Sequence, residues 1–144
     1  MGPQIEAARP TDAADVLALL SQSRLPLDGL EQHLGTTLVA RQEGRIVGSA
    51  ALELYEGGAL LRSVAVAVDQ QGCGLGHELT NAAIRLAQRL QAPAIYLLTT
   101  TAEGFFPKFG FERIARDEVP VDVRASVEFM SACPSSATVM RKSL

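Results

Sequence analysis

Apolar runs of strand length and glycine-centred breaks alternate through the first half of the chain, and their order predicts much of its architecture. Residues 37–42 and 45–54 read as two strands joined across Glu43-Gly44, the composition of a tight hairpin turn. Glu56-Gly57-Gly58 turns the chain again into residues 59–68, so three sequential strands are predicted to form an antiparallel meander. The period then changes. Leu79, Ala82, Ala83, Leu86, Ala87 and Leu90 recur at intervals of three and four, which places them on one face of a helix beginning at His77 and leaves Arg85, Gln88 and Arg89 to solvent. Residues 94–98 are a compact apolar run. Because a helix crosses over before them, they are predicted to form a buried strand parallel to the one preceding the helix.

The flanks carry weaker patterns. Residues 5–9 are predicted as a short strand, and Pro10-Thr11-Asp12 then opens a helix with Thr11 as its N-cap, Asp12 and Asp15 near its positive end, and Val16, Leu19 and Leu20 on its buried face. A second helical piece is expected over residues 28–34. Further on, the chain predicts a short helix near residues 103–108, a strand after Phe111, a helix over residues 120–129 and a last strand over residues 138–142. Together these give an α/β (α+β) fold: a mixed, mostly antiparallel sheet of six to seven strands with flanking helices, in one domain spanning residues 1–144. Strand edges near the C-terminus make a homodimer one expected assembly.

Composition narrows the function classes. A net charge of -3 provides no basic footprint for nucleic acid, so no nucleic-acid partner is expected. No apolar stretch approaches the length of a membrane span, and Met1-Gly2-Pro3-Gln4 does not begin a secretory leader, so the expected setting is cytoplasmic and away from membranes. The two cysteines, Cys73 and Cys133, lack metal-ligand spacing and read as free thiols, with no metal site expected.

Chemistry concentrates at the strand-to-helix junction, Gln71-Gly72-Cys73-Gly74-Leu75-Gly76. Glycines let backbone approach a bulky anion and turn sharply, and the first amides of the following helix are unpaired and carry part of the helix dipole. This is the make-up of a phosphate cradle, although the same residues also suit a plain strand-to-helix joint. A Rossmann fingerprint would need glycine where His77 stands, and a P-loop would end in Gly-Lys-Ser/Thr.

The remaining pattern, Gln-x-x-Gly-x-Gly after Ser63-Val64-Ala65-Val66-Ala67-Val68, resembles the signature of the GNAT acyltransferases. A second stretch, Phe105-Phe106-Pro107-Lys108-Phe109-Gly110-Phe111, resembles that family's second signature. Leu61-Arg62-Ser63-Val64-Ala65-Val66, Tyr96-Leu97-Leu98-Thr99-Thr100-Thr101-Ala102 and Val123-Arg124-Ala125-Ser126-Val127-Glu128-Phe129 with Cys133-Pro134 look like the arsenic-resistance N-acetyltransferase group. That group is similar to the acetyltransferase domain of N-acetylglutamate synthases, and some members acetylate phosphinothricin or arsinothricin. The resemblance implies a GNAT fold whose central parallel strands splay apart, acetyl-CoA as co-substrate, and a small amino-acid-like amine as acceptor. It further implies that Val64, Ala65 and Val66 hold pantetheine and the acetyl carbonyl through backbone. Gln71, Gly72, Cys73, Gly74, Leu75, Gly76 and His77 would grip the pyrophosphate, with His77 standing where Arg, Lys or Ser is often found.

Acetyl transfer needs a neutral amine, a polarised carbonyl and a proton for the departing thiolate. Phe106 stands where many GNAT enzymes place the tyrosine that protonates the thiolate, and it has no proton to give. Glu53 and Glu103 are the weak candidates for a base, each able to relay a proton through water if it points into the cleft, while a solvated surface carboxylate is the better reading of each. Arg62 shares strand parity with Val64 and Val66, so the three are expected on one face, where its guanidinium can pair with an acceptor's carboxylate, phosphinate or arsinate, or form a structural ion pair. Thr99, Thr100 and Thr101 are candidate hydroxyl contacts where the strands part, and Arg124 is a second candidate for the acceptor's anion. Rival readings are acetylation of another small amine or a protein N-terminus, and a non-catalytic acetyl-CoA-binding module. Arsenite capture by Cys73 and Cys133 is the weaker idea, because a third thiol is missing and Cys73 would conflict with CoA.

Overall fold

A computed structural model describes residues 2–126 and 137–144. The strands are β1 (Gln4–Ala7), β2 (Thr37–Gln42), β3 (Arg45–Tyr55), β4 (Gly58–Val66), β5 (Ala94–Thr99), β6 (Glu112–Ile114) and β7 (Thr138–Ser143). The helices are α1 (Ala13–Gln22), α2 (Leu75–Arg89) and the short α3 (Val121–Arg124). The strands form one sheet in the order β1-β2-β3-β4-β5-β7-β6, antiparallel throughout except between β4 and β5. The expected meander is present. Its first turn has positive φ at both Glu43 (51°) and Gly44 (79°), matching the twist of the strands it joins. β7 lies inside the sheet between β5 and β6, so the edge nearest the C-terminus is the three-residue β6, which carries exposed Glu112 and Arg113.

Each sheet face is covered by the helix whose apolar stripe fits it. On one face α2 packs Leu75, Leu79, Ala83 and Ala87 against Val47, Leu52, Leu61 and Leu97. On the other, Val16, Leu19 and Leu20 of α1 meet Val39, Ala51 and Ala65. Farther along that second face, Val123 of α3 joins Leu60, Tyr96 and Val139. Among the described residues, no helix is long and apolar enough to cross a membrane.

Several element limits move for identifiable reasons. The helix expected from Pro10 is a 3-10 turn over Pro10–Asp12 followed by α1, and its cap is not Thr11: Asp12 Oδ2 accepts the Arg9 backbone N–H at 2.8 Å. The piece expected over residues 28–34 is a 3-10 segment, Leu30–Thr36, and the one near residues 103–108 is a 3-10 turn, Phe106–Phe109. α2 begins at Leu75 rather than at His77. The strand expected to reach residue 68 ends at Val66, where Val68–Gln70 winds into another 3-10 turn. Of the helix expected over residues 120–129, the described part is α3, and residues 127–129 lie outside the described residues.

Two irregularities in β4 shape the space around it. Parallel pairing with β5 is confined to Ala59, Leu61 and the residue between them, against Ile95, Tyr96 and Leu97; beyond that point the two strands part. Against β3, Ala65 pairs with Ser49 while Arg62 pairs with Ala51, so three steps along β4 face two along β3. This is a β-bulge, and Ser63 at its centre has φ of 60°. The extra residue inverts strand parity: Arg62 shares the α1 face with Ala65, whereas Val64 and Val66 pack with the α2-side core. The expected common face for Arg62, Val64 and Val66 is thereby overturned.

Candidate active site

The parting of β4 and β5 opens a cleft of about 800 Å³. Its walls are Leu61 to Val64 and Val66 from β4, and Leu97 through Ala102 from β5 and its exit. Gly104, Phe105, Phe106 and Lys108 line it from the chain leading into and through the 3-10 turn, Gln71 and Gly76 from the cradle, and Leu25 and Pro26 from the loop after α1. Because the bulge reverses parity inside this cleft, its β4 wall presents Val64 and Val66 toward the α2 side and Arg62 toward the α1 side. One strand therefore serves both ends of the cleft.

At the α2 end lies the cradle. Gln71 Nε2 donates to the Val66 carbonyl at 3.1 Å, tying the loop to the strand end. Gly72 and Gly74 have φ of 84° and 83°, and a β-carbon at either would meet nothing within 4 Å, so backbone conformation rather than crowding calls for glycine. Gly74 precedes α2, whose first bond runs from Glu78 N–H to the Gly74 carbonyl at 3.1 Å; helix geometry leaves the amides of Leu75, Gly76 and His77 without an intrahelical acceptor. A β-carbon at Gly76 would stand 3.7 Å from Val66 and 3.9 Å from the Phe105 ring, ordinary contact distances on the side that lines the cleft. These features fit a phosphorylated ligand approaching the backbone.

Arg62 dominates the α1 end. It is buried, donating from Nε to Ser63 Oγ (3.1 Å), from Nη1 to Glu53 Oε2 (2.8 Å) and the Asp28 carbonyl (2.6 Å), and from Nη2 to the Pro26 carbonyl (3.2 Å). The guanidinium thus staples the loop after α1 to the sheet. Thr99, also buried, accepts from the backbone N–H of Ala102 (2.9 Å) and Thr101 (3.4 Å), shaping the chain as it leaves β5, while Thr100 and Thr101 are exposed along the rim.

Residues 33–113 match the family model of the acetyltransferase (GNAT) domain, a stretch that holds both the cradle and the cleft. The chain belongs to the GNAT acetyltransferases. It is 30% identical over 132 residues to the amino-acid acetyltransferase of Mycobacterium tuberculosis, covering 84% of this chain and 75% of that protein. It is 34% identical over 97 residues to the amino-acid acetyltransferase of Ralstonia nicotianae, covering 66% of this chain but only 22% of that longer protein. Among solved structures, N-acetylglutamate synthase from Neisseria gonorrhoeae, complexed with coenzyme A and N-acetyl-glutamate, superposes with a TM-score of 0.85 at 22% identity over 100% of this chain and 35% of that one. Rv2747 from Mycobacterium tuberculosis, in complex with CoA, gives 0.80 at 24% identity over 99% of both chains. These structural likenesses establish the GNAT fold.

The remaining candidates divide clearly on this GNAT frame. Val64, Val66, Gln71 and Gly76 line the cleft, as do Arg62 and the three threonines. Gly72, Cys73, Gly74 and His77 form the exposed turn beside it, and His77 packs on Phe109 with ring centroids 4.6 Å apart. Leu75 is a buried anchor of the α2 core, and the Ala65 side chain packs beneath α1. Arg124 lines no part of the cleft; its Nε is buried without a hydrogen-bond partner among the described residues. Cys133 lies outside the described residues.

Neither carboxylate stands in the cleft. Glu53 is not solvated: it is 1% exposed and serves as the hub of a buried group, accepting from Arg62 and from the Tyr55 hydroxyl, with His33 Nε2 3.6 Å away. Burial first, then the Glu53 hydrogen bond, raises the Tyr55 phenol above its ordinary range, so Tyr55 stays a proton donor. Glu53, His33 and Tyr55 line a separate cavity of about 350 Å³. Glu103 sits at the surface between Thr138 (2.8 Å) and Arg113 (2.5 Å), whose hydrogen bonds lower its pKa. Phe106 is buried in the cleft wall, edge-on to Phe105 and Phe111. Sequence reasoning missed Ser63, whose bulge conformation leaves no residue-type signal, and Lys108, which was legible within the second signature as a cation adjoining two cleft aromatics.

Proposed function

We propose that this chain transfers the acetyl group of acetyl-CoA to the amine of a small amino-acid-like acceptor, and that residues 1–144 constitute one domain. The observation that carries this reading is one cleft with a cradle of unpaired helix amides at one end and the wall stapled by Arg62 at the other. Donor and acceptor would enter from opposite sheet faces and meet at the bulge. The cradle would hold the pyrophosphate through amides and helix dipole. The backbone of residues 62–66, left without a β5 partner by the splay, would align pantetheine and polarise the acetyl carbonyl with an N–H.

The protein's contribution is then chiefly positioning. Bringing amine and thioester into attack geometry is itself a large part of the barrier reduction, and because the CoA thiol is fairly acidic its thiolate can leave without first being protonated. No tyrosine is required at Phe106 on this account. Glu53 is committed to Arg62 and Tyr55, so the amine would lose its proton to water in the cleft rather than to a carboxylate at its side.

For the acceptor, the polar threonine rim suits an acidic amino acid, while Arg62, its side chain fully buried and committed to Glu53, would shape that end of the cleft rather than pair with the ligand's anion. Glutamate and its phosphinate and arsinate analogues, phosphinothricin and arsinothricin, fit this chemistry, in a cytoplasmic arsenic-resistance setting. The amino-acid acetyltransferase relatives support the class. A thiol-release assay with acetyl-CoA and a panel of glutamate, aspartate, phosphinothricin, arsinothricin, a polyamine and a peptide N-terminus tests the reading. Turnover should concentrate on the acidic amino-acid analogues. Turnover of only the polyamine or peptide would replace the acceptor assignment, and acetyl-CoA binding without any turnover would favour a binding module.

A further inference from the structure

The cradle lacks fixed positive charge. From residue 68 to residue 78 the chain carries no Lys or Arg but does carry Asp69 and Glu78, and the nearby Arg45 is spent on Asp69 at 2.6 Å. His77 is turned onto the Phe109 ring. Helix amides supply only a partial charge, whereas a CoA-type ligand brings a pyrophosphate and a 3′-phosphate. A cation from another element would add to the amides and dipole at this end of the cleft.

Lys108 is in the right place. It lines the cleft together with Gln71 and Gly76, and its Nζ lies 5.6 Å from the centroid of Phe105, the ring that approaches the Gly76 position. The 3-10 turn bearing it is fixed against the start of α2 by the Phe109–His77 contact. Its side chain is exposed and has no ion-pair partner among the described residues. The other cation lining the cleft, Arg62, is buried against Glu53 at the far end. We propose that Lys108 is the charge clamp of this site, reaching from the 3-10 turn across the cradle to a phosphate of the donor. The inference rests on the acetyl-CoA reading of the cleft. Phe105 holds the ammonium at the rim through its π face until the phosphate arrives.

Equilibrium binding of CoA and of dephospho-CoA to the wild type, Lys108→Met and Lys108→Arg tests the clamp. Lys108→Met should weaken CoA about tenfold at low salt and flatten the salt dependence of binding, and Lys108→Arg should restore most of the loss. If the loss vanishes with dephospho-CoA, the clamped group is the 3′-phosphate; if it persists, the group is the pyrophosphate. Equal CoA affinity for wild type and Lys108→Met, or an arginine variant as weak as methionine, would overturn the clamp while leaving the donor assignment intact. A wild type that binds neither ligand would overturn the donor assignment itself.

Discussion

At the scale of single residues, the Arg62–Glu53 pair decides how the α1 end of the cleft is built. Both side chains are buried, and the guanidinium also holds the carbonyls of Pro26 and Asp28, so removing it strands a buried carboxylate and frees a cleft wall. Arg62→Met should therefore destabilise the protein by about 3–5 kcal/mol in urea unfolding, and adding Glu53→Gln should return part of that loss because the stranded charge goes with it. In steady-state kinetics the same variant, where it remains folded, should raise the acceptor KM well above any change in that of acetyl-CoA; parallel changes would mean that the staple supports the whole cleft equally. The sequence identified Arg62 but misplaced it. Parity along β4 is broken at Ser63, and a serine with positive φ looks like any other strand residue until its neighbours are seen. Glu53 was misread for a related reason: its neutralising partner lies nine residues on, across a turn, where no periodicity reports it.

Among the elements, the strand–cradle–helix unit was the most legible, because each part leaves a mark in residue type: apolar run, glycines, and a spacing of three and four. Its start was misjudged by two residues, since Gly76 reads as a breaker although Leu75 already anchors the first turn in the core. The 3-10 segments were legible only as vaguely helical, being too short for a period to show. Gly74 provides the clearest test of the unit. Its φ of 83° with open space around a β-carbon means that alanine there would suffer backbone strain of about 1–2 kcal/mol without a clash, whereas asparagine tolerates this conformation and should be milder. Gly74→Glu adds a negative charge to the cradle and should abolish CoA binding in titration calorimetry while the far-UV spectrum stays that of the folded protein. Undiminished CoA affinity in Gly74→Glu would remove the pyrophosphate from this loop.

For the molecule as a whole, charge ties at both margins of the sheet make stability depend on acid in a defined direction. Arg41 bridges Asp12 (2.8 Å) and Glu6 (2.7 Å), joining the entry to α1 with β1 and β2, while Glu103 joins the exit of β5 to β6 and β7 through Arg113 and Thr138. Asp12 is held below its ordinary pKa first by the Arg41 hydrogen bond, and Glu103 first by Thr138. A carboxylate whose folded pKa lies below its unfolded value contributes stability above the unfolded value, about 4 here, and loses it as pH falls toward the folded one. The thermal midpoint should consequently stay level from neutrality to about pH 5 and then fall. Asp12 is 4% exposed and Glu103 lies at the surface, where solvent screens its pairing, so Asp12 should carry the larger share. Asp12→Asn should lower the midpoint at pH 7 and remove part of the acid slope, while Glu103→Gln should change either little. If residues 1–144 are one domain, each of these melts should be a single cooperative transition, because sheet order places the two ties at opposite margins of the same seven strands. A melt in which Asp12→Asn shifts only an early phase would instead mean that the α1 margin unfolds on its own.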